Sequence, residues 1–267
     1  MRERIARAVL FWYRTARKTL CEHRIKCFLN IDTVSEYGYN RYTDTVSECG
    51  MEGKQMPKGS PELTNARKEE IINACEELYK TMSFKDITIK EIGNATSFTR
   101  TSIYNYFQTK EEIFLALLQR EYELWIADLE QIMAEDAALT KDGFADKLAR
   151  SLEKRGQLLK IMSMNHYDME SSSRPERLTE FKVAYGKSLH TVMRCLEKYF
   201  PDMQVSGKQV FLYTFFPFMF GIYPYTVVTE KQRTAMEEAG VDYVFMTIYE
   251  ITYNCIKGLL KDGKEFA

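Results

Sequence analysis

The chain has 267 residues, of which 45% are hydrophobic and 28% are charged. This is the composition of an ordinary globular protein, so it excludes a chain that is disordered throughout. The 37 lysines and arginines almost balance the 38 aspartates and glutamates, which gives a net charge of −1. Recognition of a partner by bulk positive charge is therefore excluded, and any site for an anion has to be local.

The six cysteines are spread along the chain and form no CxxC pair. This distribution predicts reduced thiols in a cytoplasmic protein, and it argues against a disulfide framework or a zinc site. The uncharged apolar run nearest the N-terminus, residues 8–13, is too short for a secretory signal or a membrane helix. We therefore predict a cytoplasmic protein that has no membrane partner.

Residues 1–60 form a basic, polar extension before the first clear helical pattern. The first 28 residues contain eight basic and two acidic side chains. Residues 30–60 lack a sustained hydrophobic period, which predicts a linker or a disordered segment. A misassigned start is the alternative interpretation, in which the native chain begins at Met51 or Met56.

Residues 61–115 have the pattern of a three-helix block. Residues 66–82 place apolar side chains on one helical face, and Thr88 with Glu91 is a capping box that starts a second short helix. Thr99 is the predicted N-cap of a third helix, which would extend from Arg100 to Phe107. Three such helices with a tight turn before the third predict a helix-turn-helix domain.

The outer face of the third helix supplies the groups that DNA recognition needs. Small residues allow close approach to a duplex, Arg and Asn reach base edges or phosphates, and tyrosine hydroxyls bond phosphate oxygens. Lys110 lies at a helix N-terminus, where free amides already favour a phosphate. The predicted DNA-binding residues are Thr88, Thr99, Arg100, Thr101, Ser102, Tyr104, Asn105, Tyr106 and Lys110.

Two segments of this block, ITIKEIG at 87–93 and TRTSIYNYFQTKEEIF at 99–114, resemble the TetR family of one-component transcriptional regulators. The specific part of the resemblance is the string IY-x-YF-x-[ST]KEE-[IL]. The resemblance implies an all-helical homodimer, operator binding through the third helix and a small-molecule pocket in the C-terminal domain. Two positions depart from the family pattern, since Gly93 stands where alanine is commoner and Ser97 where the turn usually has glycine.

Residues 116–267 predict a helical ligand-binding and dimerisation domain, so the predicted fold class is all-α. Helices are predicted near 112–135, 143–155, 156–170, 176–199, 207–221 and 241–261. The last of these places an apolar stripe on one face: Val241, Val244, Phe245, Ile248, Thr252, Cys255 and Leu259. With 207–221 it would form a four-helix dimer interface, or alternatively it packs within one subunit.

An aromatic segment at 210–225 and a cluster rich in methionine near 162–169 predict the walls of a pocket for a lipophilic or aromatic effector. Plain core packing is the alternative interpretation of the same residues. The predicted ligand-binding residues are Met162, His166, Phe181, Tyr185, Phe211, Phe215, Phe218, Met219 and Tyr223.

Catalysis has little support in the sequence. His166 and Glu170 are four residues apart, but two metal ligands alone are a weak signal, and common catalytic motifs such as GxSxG, the P-loop and HExxH are missing. We therefore predict no enzyme activity, no cofactor and no metal.

The predicted function is a ligand-responsive repressor that binds double-stranded operator DNA as a homodimer. The alternative is a helical ligand-binding or adaptor protein that has lost DNA binding.

Overall fold

The structure is a computed structural model and describes residues 60–261, except Asp136, Asn165 and the side chains of residues 166–168. These residues belong to one compact unit that spans Met56–Ala267, whereas Met1–Gln55 is assigned to a separate unit. The predictions for the N-terminal extension therefore lie outside the described residues, apart from Ser60.

The described residues are all-α and contain no strand, which confirms the predicted fold class. The helices are α1 Pro61–Thr81, α2 Ile89–Asn94, α3 Arg100–Ile103, α4 Lys110–Glu135, α5 Lys141–Glu153, α6 Gly156–Met162, α7 His166–Ser171, α8 Pro175–Tyr199, α9 Val205–Thr226, α10 Glu230–Glu238 and α11 Ile248–Lys261.

Helices α1–α3 and the first turns of α4 form a small head. The side-chain oxygen of Ser60 accepts from the amide of Leu63, and Pro61 occupies the first turn of α1, where its missing N–H costs nothing. The hydroxyl of Thr88 caps α2 as predicted. Apolar side chains from all these helices meet in one core, in which Ile71, Ile92, Ile103 and Phe114 are fully buried: each exposes less than 1% of its surface.

Helix α4 continues from the head into the remaining helices, which we call the body. Its first half buries Ile113 and Leu117, whereas its second half buries Tyr122, Trp125 and Leu129 against the body. Helix α8 packs along α4, and α5 packs against α11. The boundary predicted between residues 115 and 116 thus falls inside one continuous helix, and the predicted division into domains stays a prediction.

The last predicted helix, 241–261, is too long. The amide of Gly240 bonds the carbonyl of Glu237, and its φ of 65° ends α10 in the left-handed conformation that glycine adopts at little cost. Thr247 and Glu250 then form a reciprocal cap, with amide contacts of 2.8 and 3.1 Å, so α11 begins at Ile248. Val241, Val244 and Phe245 consequently lie outside any helix and are exposed.

No single helix among the described residues is both long and apolar enough to cross a membrane. Helices α9 and α10 pass the same test only when they are taken together across a bend of 82°.

Candidate nucleic-acid interface and ligand site

The short helix α3 is held onto the head by the two residues that close it. Ile103 exposes none of its surface and Phe107 exposes 1%. The amides of Tyr106 and Phe107 donate to the Ile103 carbonyl at 2.8 and 3.0 Å, so the chain turns directly after α3. The prediction of a helix as far as Phe107 is wrong for this reason, because α3 ends at Ile103.

One face of α3 and its turn is presented to solvent. Arg100, Thr101, Tyr104 and Asn105 are exposed, and Nη2 of Arg100 donates to the Tyr104 hydroxyl at 3.2 Å. The structure brings these predicted residues together with Thr99, whose hydroxyl lies 3.1 Å from that of Ser102. A guanidinium, an amide and two kinds of hydroxyl on one small surface can donate to base edges and to phosphates.

Tyr106 does not share this face. The ring is buried, with 5% of its surface exposed, and Nη1 of Arg67 donates to its hydroxyl at 3.3 Å. The prediction that Tyr106 points outward is wrong, because the turn after Ile103 rotates this position into the head core.

Lys110 is likewise used within the head. Its ammonium donates to the carbonyls of Phe84 and Ile87 at 2.7 and 3.0 Å and lies 4.3 Å from the centre of the Phe84 ring. Two of its three donors are therefore occupied by the loop before α2. The sequence predicted that this ammonium binds a phosphate. In the structure it instead connects the start of α4 to the loop before α2.

Thr88 is exposed, but its side chain is engaged as a helix cap. Its oxygen accepts from the amides of Lys90 and Glu91 at 3.2 and 3.4 Å, and its hydroxyl donates to the Glu91 carboxylate. A contact from this side chain to DNA would have to replace part of the cap.

Two arginines of the body contact the turn that follows α3. The sequence analysis did not select them. Nη2 of Arg174 and Nη2 of Arg177 donate to the Tyr106 carbonyl at 3.2 and 3.3 Å. The guanidinium of Arg174 also pairs with Glu112, which is 1% exposed. Burial alone raises the pKa of Glu112, but hydrogen bonds from Arg174 and from two backbone amides outweigh it and lower the pKa below its usual value.

Two of the predicted ligand residues, Phe181 and Tyr185, belong to a continuous group of aromatic rings in the body. The ring of Tyr185 lies 5.8 Å from those of Tyr122 and Phe216, and the ring of Tyr122 lies 6.1 Å from that of Phe181. Trp125 joins at 6.0 Å from Phe216. We call these five side chains, on α4, α8 and α9, the aromatic cluster. Burial raises the pKa of the Tyr122 hydroxyl well above its usual value, so this group stays neutral.

The structure places the ligand candidates at different depths. Those that are buried are Met162, Phe181, Phe211, Phe215 and Met219, and those that are half-buried are Tyr185, Phe218 and Tyr223. The side chain of His166 lies outside the described residues. Two open cavities, of about 390 and 190 Å³, lie against α1, and none of the ligand candidates lines them. Several candidates contact one another, since the ring of Phe215 lies 5.4 Å from that of Phe211 and 6.1 Å from that of Phe218.

Tyr122 and Trp125 belong to the cluster, although the sequence analysis did not select them. The Tyr122 hydroxyl donates to Sδ of Met162 at 3.6 Å, and Nε1 of Trp125 donates to Oγ of Ser151 at 3.0 Å. Both residues lie on a helix that the sequence predicted. Their spacing of three residues, which places them on the same side of that helix, was the signal that could have identified them.

Comparisons with known proteins agree with this architecture. Residues 119–257 match the family model described as Tetracyclin repressor-like, C-terminal domain, which covers half of the chain. Residues 71–117 match the model described as Bacterial regulatory proteins, tetR family. The chain belongs to the TetR family.

Individual TetR-family relatives are distant. The HTH-type transcriptional regulator RutR of Escherichia coli strain K12 is 24% identical over 75 residues, which are 28% of this chain and 35% of RutR. The uncharacterized HTH-type transcriptional regulator YfiR of Bacillus subtilis is 30% identical over 63 residues, or 24% of this chain and 31% of YfiR. The chain therefore matches only about a third of the length of these curated relatives.

Among solved structures, the fatty acid degradation regulator FadR from Bacillus halodurans is similar to this chain with a TM-score of 0.47 and 14% identity. The match covers 80% of this chain and 99% of that one.

Proposed function

We propose that this TetR-family protein is a ligand-responsive repressor that binds an operator in double-stranded DNA as a homodimer. The observation that carries the proposal is the exposed set Arg100, Thr101, Tyr104 and Asn105 on a short helix whose opposite side is anchored by Ile103. A rigid element with buried apolar residues on one side and donors on the other is suited to the major groove.

The roles of the exposed residues follow from their chemistry. Arg100 is placed to read a base edge, because a guanidinium can donate two parallel hydrogen bonds to guanine. The Tyr104 hydroxyl is suited to a phosphate, which positions the helix without reading sequence. Tyr106 is left out of this interface because its ring is buried.

Quantitative binding of variants to an operator duplex tests these roles. The duplex is obtained by selecting bound fragments from genomic DNA. We expect Arg100→Ala to weaken operator binding by about 10- to 100-fold and to reduce discrimination at one base pair, since a bidentate base contact contributes about 1–3 kcal/mol. Tyr104→Ala should weaken operator and unrelated duplexes alike.

The control for these variants is Lys231→Ala, which removes an exposed cation from α10 in the body. We expect this control to bind the operator as the unsubstituted protein does. Unchanged affinity for both head variants would contradict the assignment of this surface. Failure of the unsubstituted protein to select any genomic fragment would instead favour a protein that has lost DNA binding.

The effector is proposed to be a lipophilic or flat aromatic molecule that enters the aromatic cluster. Support comes from the rings that three helices bring together and from the adaptable side chain of Met162 beside Tyr122. Such a ligand shifts the protein only if it binds the DNA-bound and free states unequally. A thermal-shift screen tests this chemistry. Stabilisation by apolar compounds supports it, and stabilisation by small polar metabolites alone contradicts it.

The homodimer is proposed to form through one face of α9. Exposed apolar or small residues recur there every three or four positions: Val210, Tyr213, Pro217, Gly221 and Pro224. This spacing keeps them on one side of the helix, and a contiguous apolar stripe at the surface is typical of an interface. A two-fold axis along this face would let two copies of α9 cover each other.

A further inference from the structure

An ion pair between the half-buried Arg174 and the buried Glu112 connects the body to the end of the recognition surface. The amide and Nε of Arg174 donate to Oε1 of Glu112 at 3.0 and 2.7 Å, and Nη2 donates to Oε2 at 2.8 Å. The amide of Gln108 donates to the same Oε2 at 2.8 Å. Because the carboxylate is buried and fully engaged, its geometry is fixed, and the guanidinium is held by two parallel bonds.

The same guanidinium also holds the turn that follows α3. Nη2 of Arg174 donates to the Tyr106 carbonyl, and Arg177 adds a second bond to that oxygen while its guanidinium lies 5.5 Å from the centre of the Phe107 ring. Thr109 donates to the Ser172 carbonyl at 3.1 Å. The segment just before α8 is thus bonded to the segment just after α3.

A second cation of the body contacts the far end of the head. The ammonium of Lys160 on α6 donates to the carbonyl of Tyr79 in the last turn of α1 and lies 3.9 Å from the centre of that ring. Burial lowers the pKa of Lys160. The body therefore touches the head through cations at the ends of α1 and α3.

Arg174 lies at the start of a helix that supplies part of the aromatic cluster, and Lys160 lies near a residue that contacts the cluster. Arg174 is the N-cap of α8, which carries Phe181 about two turns and Tyr185 about three turns further on. Lys160 is two residues before Met162, which accepts from Tyr122. A ligand that displaces the rings of Phe181 and Tyr185 pushes on α8, and a shift of α8 moves Arg174, which holds the head.

We propose that Arg174 is a positioning residue that couples the aromatic cluster to the orientation of α3 through Glu112 and the Tyr106 carbonyl. The inference rests on the proposed function and adds a route for its regulation. Helix α4 is the covalent connection between head and body. The contacts of Arg174 are a second, noncovalent connection between them, and a ligand can break it.

Reciprocity makes the coupling measurable without knowing the effector. If the state of the cluster alters DNA affinity, then DNA binding must alter the cluster by the same free energy. Trp125 reports on the cluster, since its ring contacts Phe216 and its Nε1 bonds Ser151. The chain has two tryptophans, so a Trp12→Phe background leaves Trp125 as the sole tryptophan, whose emission can be excited selectively.

The experiment titrates this background protein with operator duplex and records both anisotropy of labelled DNA and emission of Trp125. We expect operator binding to change the emission. In Arg174→Gln we expect the affinity to stay within about tenfold and the emission change to fall by at least half. The matched control is Arg194→Gln, an exposed arginine on the same helix that pairs with Glu130 and does not touch the head. It should keep the full emission change.

Arg174→Lys provides a second variant, because it keeps the charge and loses the two-pronged geometry. It should also lose the emission change if the guanidinium is the coupling group. A full emission change in both Arg174 variants, or no change in the background protein when it binds DNA, overturns the inference. Loss of DNA binding in both variants, with folding intact by circular dichroism, also counts against it. Failure of the background protein to bind DNA instead contradicts the proposed function.

Discussion

Gly93 on α2 lies so close to Arg100 that a methyl group at position 93 would be 3.3 Å from the Arg100 Cα and 3.4 Å from its Cβ. The first distance is shorter than ordinary van der Waals contact between carbons and the second lies at its limit, and the nearer neighbour is a backbone atom of the proposed recognition helix. Glycine therefore allows α2 and α3 to approach each other closely at a position where the family pattern favours alanine.

We expect Gly93→Ala to displace α3 slightly and to weaken operator binding by about three- to tenfold, which corresponds to about 0.6–1.4 kcal/mol. Stability should change little, because the helix propensity gained from alanine offsets the crowding. Operator affinity and urea unfolding measure the two effects. Gly186→Ala is the control, since nothing lies within 4 Å of its added methyl group. An operator affinity unaltered by Gly93→Ala would show that α3 tolerates the shift.

Lys110→Met should destabilise the protein by about 1.5–3 kcal/mol, because it removes charged hydrogen bonds to the carbonyls of Phe84 and Ile87. Urea unfolding measures the loss. Lys90→Met, at an exposed position of α2, is the control and should be nearly neutral. Unchanged stability together with a large loss of operator affinity would return Lys110 to the phosphate role that the sequence suggested.

Glu121→Gln should raise the melting temperature at pH 7 and have little effect at pH 4. Burial raises the pKa of Glu121, and the charge of Glu76 adds to this effect, although Arg155 and Arg120 oppose it. Since the folded state resists ionisation, native stability falls as the pH rises from below the unfolded pKa through the folded one. Glutamine removes that loss.

The matched control for this pH dependence is Glu123→Gln, an exposed position on the same helix. Thermal unfolding at several pH values compares the two variants. An equal gain from Glu121→Gln at pH 4 and pH 7 would contradict an electrostatic origin.

Tyr213→Asp should dissociate the proposed homodimer, because it places a charge in the centre of the apolar stripe on α9. Tyr213 is 53% exposed in the isolated subunit, so the substitution should leave the fold of one subunit intact. Sedimentation velocity measures the oligomeric state, with Tyr104→Asp in the head as the control. A dimer that survives Tyr213→Asp would place the interface on another surface.

The local signals in the sequence predicted the head well. The pair Thr88 and Glu91 marked the start of α2, and the periodic apolar residues marked the core side of α1. The extent of α3 was predicted less well, because the chain passes into a turn directly after Ile103 and no residue type at 104–106 signals this turn. Tyr106 was misplaced for the same reason.

In the body, hydrophobic periodicity did not reveal every helix. Helix α10 has no buried residue, so it left no apolar stripe to detect. Its capping box, Thr229 with Gln232, was the usable signal.

Long-range contacts could not be predicted from the sequence. The contact between Glu112 and Arg174 joins positions 62 residues apart, and such pairing is set by tertiary packing that one sequence does not display. Of the aromatic cluster, the sequence predicted Phe181 and Tyr185, whereas the contacts that join them to Tyr122, Trp125 and Phe216 required the structure.

If the proposed function is correct, two copies of this chain present residues 100–105 to neighbouring major grooves. Hydroxyl-radical footprinting of the full chain on its operator measures this arrangement. We expect two protected patches related by a two-fold axis, with centres about 34–36 Å apart along the duplex, and we expect both to weaken in Arg100→Ala. A single protected patch, or a footprint that Arg100→Ala leaves intact, would contradict it.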